Sequence, residues 1–129
     1  MDLRLDTSDG TPIYLQIVDQ IKRSVAVGRL KPEDSLPSVR QLALDLTINP
    51  NTVARAYLEL EHEGIIYKRQ GQGTFVSTQA LEAGRRERNR IVAGVFEKAI
   101  VEAIHYGMSA SEIDEVYRSL MRRYKLEKP

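Results

Sequence analysis

LPSVRQLALDLTINPNTVARAYLELEHEGIIYKRQGQGTFVS, residues 36–77, sets two apolar helical periodicities around a turn and ends on a glycine-tipped pair of strand-like runs. Within it Pro50 stands between two asparagines, at the head of the most regular helical pattern in the chain. Proline breaks a helix interior but suits its first position, where no backbone donor is missed. Asn49 can cap the free amides that follow it. The pattern predicts a helix that begins at Asn49 or Pro50 and runs to about Gly64. Before it, Ser38 to Leu46 reads as a shorter helix with Val39, Leu42, Ala43 and Leu46 on one face, and TIN turns the chain between the two. After it, IIYKR, QGQG and TFVS read as strand, glycine turn and strand. Short helix, tight turn, longer helix and hairpin make the order of a winged helix-turn-helix.

At 100° per residue, Val53, Ala56, Tyr57 and Leu60 of the longer helix point toward a core, and Asn51, Thr52, Arg55 and Glu59 cluster opposite. Leu58 lies off the apolar stripe. From Thr47 to Leu58 the one charged side chain is Arg55, whereas three glutamates follow between Glu59 and Glu63. That distribution fits a helix whose early turns meet polyanionic DNA and whose far end points away. The residue types fit too: asparagine pairs with adenine, arginine with guanine, and a threonine methyl touches thymine. Asn49 can spend its side chain on the cap or on DNA. In the hairpin, Lys68 and Arg69 approach the tip, and Gly71 and Gly73 let backbone come close to a partner, which suits phosphate or minor-groove contact. Arg40, in the first turn of the short helix, is placed for phosphate or a base edge. For each residue taken singly, a solvated surface is the competing reading; their order in one motif favours DNA.

Outward from this segment, residues 1–10 read as an arm or short edge strand ending in a turn. Thr11-Pro12 opens a first helix, with Thr11 as a possible cap and Ile13, Tyr14, Ile17, Val18, Ile21 and Val25 as its stripe, stopping at Gly28. Beyond Gln79 the pattern is helical throughout. A long helix of about 82–106 carries paired apolar positions (Ile91 and Val92, Val95 and Phe96, Ala99 and Ile100, Ala103 and Ile104), and Gly107 ends it. Ser109 and Glu112 form a capping-box pattern for a last helix with the stripe Ile113, Val116, Tyr117, Leu120, Met121 and Tyr124. The expected division is 1–79 as the winged helix-turn-helix and 80–129 as an all-helical dimerisation region. About 50 residues are too few to bury a stripe two residues wide. A homodimer is expected to cover it, through Ile91, Val92, Val95, Phe96, Ile100, Val116, Tyr117, Leu120 and Tyr124. The alternative is that this tail folds back on its own DNA-binding domain. RRERNR (85–90) and RRYKLEK (122–128) read as charged surface.

Composition narrows the function classes. The chain has 129 residues, 42% hydrophobic and 29% charged, with a net charge of +1, so any DNA-binding surface comes from local placement of charge. It lacks cysteine, which excludes disulfides and thiolate metal or redox chemistry and is compatible with a reducing cytosol. With no signal-peptide pattern and no membrane-length apolar run, the expected location is the cytoplasm. His62 and His105 are the two histidines, too few for a histidine-rich metal site. No Ser/His/Asp set or phosphate loop is present, and Glu61 and Glu63 diverge on a helix. No enzyme, metal or cofactor is expected.

Leu36-Pro37-Ser38-x-Arg40-x-Leu42-Ala43, Asn51-Thr52-Val53, Gly64-Ile65-Ile66 and Gly71-x-Gly73-Thr74-Phe75-Val76 together resemble the DNA-binding domain of the GntR family of bacterial transcription regulators. The front segment PIYLQIVDQIKRSVAVGRL and the short helical tail resemble its YtrA subfamily. The resemblance implies a fold that is mainly α with a small β-hairpin, a cytoplasmic dimeric repressor, and double-stranded operator DNA as partner. Carried over by position, it implies DNA contacts at Arg40, Asn49, Asn51, Thr52, Gln70 and Gly71, and Ser38 of the first motif joins the candidate set. Many relatives place arginines where Pro50 and Ala54 stand, so those contacts do not transfer; Arg55 comes from the helical wheel, and Lys68 and Arg69 from their place in the hairpin. Larger relatives carry a ligand-binding domain that this tail is too short to match. A possible small-molecule effector is left to the dimer interface or the hinge. The competing function is a winged helix used for protein interaction without DNA binding.

Overall fold

The computed structural model describes residues 1–126. Glu127 and Lys128, the end of the RRYKLEK segment expected at the surface, lie outside the described residues. The elements are α1 (Ile13–Ala26), β1 (Ser35–Leu36), α2 (Val39–Leu46), α3 (Pro50–His62), β2 (Ile66–Arg69), β3 (Gly73–Val76), α4 (Ala80–His105) and α5 (Ala110–Arg123). They form two compact units, Met1–Asn89 and Arg90–Pro129. That division falls inside α4, beyond the 79/80 boundary expected from sequence. The reason is local packing: Ala80 is fully buried, and Gly84 brings its helix so close to α1 that a Cβ there would meet the Ala26 backbone at 3.4 Å.

In the first unit, α1, α2 and α3 enclose one core. Ile17, Ile21 and Val25 of α1, Leu42 of α2, and Val53, Ala56 and Leu60 of α3 are all fully or almost fully removed from solvent. These are the expected stripes, and burying such side chains stabilises the fold by about 1.5–3 kcal/mol each before entropy is counted. Tyr57 brings a polar tip into this core and donates its hydroxyl to the Pro37 carbonyl at 2.7 Å. Burial raises the Tyr57 pKa, so the phenol stays protonated and keeps donating.

The hairpin is wider than expected. β2 and β3 pair antiparallel with Ile66 opposite Val76 and Arg69 opposite Gly73, and β1 adds to the free side of β3, Ser35 opposite Phe75. The sheet order is β1-β3-β2. Two residues before Pro37 leave no periodicity to read, so β1 was invisible in a segment rich in breakers.

Residues 1–10 form no strand. Two glutamines one turn apart on α1 supply the missing partner instead. Gln16 accepts from the Asp6 amide and donates to the Asp6 carbonyl, both at 2.8 Å. Gln20 does the same for Arg4, at 2.9 and 2.6 Å. Each primary amide thus imitates a neighbouring peptide group, and Leu3, just before Arg4, is buried. Thr11 is not the cap of α1: Pro12 occupies that position, and the Thr11 hydroxyl donates to Asp9.

The second unit holds the rest of α4, the turn at Gly107 (φ 77) and α5. Its capping box forms as expected, with the Ser109 hydroxyl accepting from the Glu112 amide and the Glu112 carboxylate accepting from the Ser109 amide. Phe96 and Tyr117 meet across the helix pair with ring centroids 6.5 Å apart. Most other apolar side chains here stay open to solvent, among them Val95 at 62% and Tyr124 at 68% exposure.

Candidate nucleic-acid interface

Three pieces of the first unit carry the candidate contacts. The first is the start of α2. Ser38 caps it, its Oγ accepting from the Gln41 amide at 3.0 Å, which leaves the hydroxyl proton free to donate. Arg40, in the first turn, is exposed and has no partner among the described residues.

The second is the start of α3. Thr47 turns the chain in the left-handed region, φ 55, and Asn49 then caps α3 through Oδ1, which accepts from the Asn51 amide at 2.8 Å. Pro50 follows at the first helical position. In this structure the Asn49 oxygen is spent on the cap, while its Nδ2 hydrogens remain free to donate. The side chain of Asn51 is exposed and unengaged, and Thr52 is half-buried beside it. Arg55, one turn beyond Asn51 on the same side, lays its guanidinium 3.9 Å from the ring centroid of Tyr14 on α1. Leu58, off the apolar stripe in sequence, is on the open side at 54% exposure.

The acidic end of α3 is largely partnered within the unit. Glu63 pairs with Lys22 at 2.7 Å and Glu61 lies 3.9 Å from Lys68. The early turns of α3 therefore present side-chain amides and one guanidinium with no carboxylate among them, and the positive end of the helix dipole adds to a polarity that favours an anion there.

The third piece is the wing. Gln70 and Gly71 form its exposed tip, with Gly71 at φ 76 and Gly73 at φ 115, conformations that favour glycine. Lys68 keeps 65% of its side chain open to solvent. Arg69 differs from the expectation for a phosphate contact. Its guanidinium pairs with Glu33, stacks 4.2 Å from the Phe75 centroid, and donates to the Tyr67 hydroxyl, which itself donates to Glu33. Glu33 holds a left-handed backbone at φ 72 and ties its amide to the Val76 carbonyl. Arg69 thus braces the wing against the connector before β1. Nothing in the sequence joins Glu33 to Arg69 or Tyr14 to Arg55, because both pairs are long-range and each member reads locally as surface or stripe.

Among the described residues no cluster of histidine and carboxylate side chains could hold a metal ion, and no helix is long and apolar enough to cross a membrane.

Comparison with known proteins agrees with this geometry. The family described as "Bacterial regulatory proteins, gntR family" matches residues 13–76, the span from α1 to the last strand of the wing. The HTH-type transcriptional repressor YtrA of Bacillus subtilis (strain 168) is 38% identical over 113 residues, covering 88% of this chain and 87% of that protein. The chain belongs to the GntR family. This GntR protein is a DNA-binding transcription regulator and not an enzyme. A transcriptional regulator from Oenococcus oeni has the same fold, with a TM-score of 0.79 and 37% identity over 94% of this chain and 97% of the other. The GntR fold also matches the DNA-binding domain of AraR in complex with operator ORE1, at a TM-score of 0.50 and 26% identity, over 60% of this chain and 94% of that one.

Proposed function

We propose that this GntR regulator is a cytoplasmic, homodimeric repressor that binds a two-fold operator in double-stranded DNA. The observation that carries the reading is the start of α3, where Asn51, Thr52 and Arg55 stand on a capped, carboxylate-free turn. Asn51 and Arg55 read base edges in the major groove, Thr52 a thymine methyl or a phosphate. Arg40, Ser38, the Asn49 Nδ2 group and the wing residues Lys68, Gln70 and Gly71 contact the backbone or the neighbouring minor groove. The named repressors among the relatives, and the operator complexes of a related DNA-binding domain, support it. The protein-interaction reading is not favoured, since it leaves these features without a task.

Dimerisation rests on the second unit. Phe96, Ile100, Ile113, Tyr117, Leu120 and Tyr124 help line an open apolar groove of about 980 Å³, and an exposed apolar surface of this kind marks an interface. A second copy on this face brings two recognition helices to half-sites a whole number of turns apart. An apolar effector would compete with the partner chain for the same groove.

Selection of bound sites from random DNA, followed by gel shifts over a salt series, tests the reading. A two-fold motif with affinity falling steeply as salt rises is expected. Failure to recover any preferred sequence would overturn it.

A further inference from the structure

Two arginines among the described residues stack on aromatic rings, and they differ in what their donor edges do. Arg69 spends its fork on Glu33 and Tyr67. Arg55 spends none of its donors on a described residue, although its plane is held 3.9 Å from the Tyr14 centroid. A long side chain normally loses most of its rotamer freedom when it binds. Here part of that loss is already met in the free protein, and the edge that carries the five N–H groups faces no protein acceptor. Tyr14 reaches this position from α1, half-buried against the core, and its own hydroxyl makes no hydrogen bond to a described residue. The ring face is therefore what α1 contributes at this point.

We propose that Tyr14 is a positioning residue for sequence recognition: its ring orients the Arg55 guanidinium so that the fork reads one guanine per half-site through O6 and N7. This rests on the DNA-binding reading of α3. It extends that reading to α1 and makes the preference at one base pair depend on a residue outside the helix-turn-helix. The chemistry is selective for a planar cation. Lysine in place of Arg55 keeps the charge but has neither the stacking plane nor the bidentate fork.

The test uses the full chain and the site recovered by random-DNA selection, with each base pair of a half-site varied in turn. Arg55→Ala and Arg55→Lys are expected to lose preference at one G·C pair by about 5- to 100-fold, leaving preferences elsewhere in place. Tyr14→Leu should lose preference at that same pair by several-fold with the salt slope unchanged, and Tyr14→Phe should retain it. A merely structural role for Tyr14 would weaken all sites alike. Uniform loss in Tyr14→Leu, or preference at that pair unchanged, overturns the proposal. If Tyr14→Leu does not fold, the Arg55 Nε–H resonance, assigned by its disappearance in Arg55→Lys, decides the matter. An upfield ring-current shift kept in both the free protein and the DNA complex supports the positioning role; a shift lost on binding overturns it. Wild-type protein that selects no site at all refutes DNA binding itself, a result separate from either of these.

Discussion

Asn49 and Asn51 are the same side chain two residues apart, and the helix start separates their tasks. Asn49 Oδ1 closes the end of α3, whereas the Asn51 side chain stays open. Asn49→Ala should cost about 1 kcal/mol of stability without DNA present, read from urea unfolding. Asn51→Ala should leave that stability nearly unchanged and reduce discrimination between sites more than it reduces bulk affinity. Lys68→Ala should do the opposite, weakening all sites alike and lowering the salt slope by about one. Equal, uniform losses from Asn51→Ala and Lys68→Ala would erase the division between base reading and backbone contact. Thr47 offers a check on the turn itself. It is β-branched and holds φ 55, a conformation that costs about 1–2 kcal/mol for most side chains and less for asparagine. Thr47→Asn should therefore raise the unfolding temperature by a few degrees.

At the scale of the element, the N-terminal arm and α5 show side chains finishing what the backbone leaves open. Gln16 satisfies Asp6 on both sides and also donates to the Thr11 carbonyl at 2.9 Å. Gln16→Ala should free the arm, and the Asp6 amide should lose most of its hydrogen-exchange protection while α3 amides keep theirs. The cap of α5 is sensitive to acid. The Glu112 pKa lies below its ordinary value of 4.5, because the Ser109 amide and hydroxyl stabilise the carboxylate. A lowered folded-state pKa means that the cap contributes fully above about that ordinary value and is lost as pH falls through the folded one. Helicity of α5 followed by NMR should hold at neutral pH and drop below pH 4.5, and Glu112→Gln should flatten that dependence.

For the whole molecule, the open apolar face of the second unit decides whether one chain can act alone. Leu120 is 44% exposed there and lines the groove. Leu120→Glu should halve the mass seen by sedimentation and leave the melting of the first unit intact. Operator affinity should fall by orders of magnitude, because two half-sites are then bound by separate encounters. A wild-type chain that sediments as a monomer at micromolar concentration would overturn the dimer.

The sequence by itself determined the order of the fold and the place of the helix proposed to face DNA. Those features follow from short-range rules: apolar spacing, proline at a first position, glycine at positive φ, a capping box four residues long. They show in Val53, Ala56, Tyr57 and Leu60, in Pro50, in Gly71 and in Ser109, without reference to any distant residue. Only the tertiary structure decided that β1 joins the wing, that glutamines on α1 hold the arm, that Glu33 takes Arg69 and that Tyr14 holds Arg55. Each of these joins residues far apart in the chain, and the energy of such a pairing belongs to the folded geometry rather than to any local pattern.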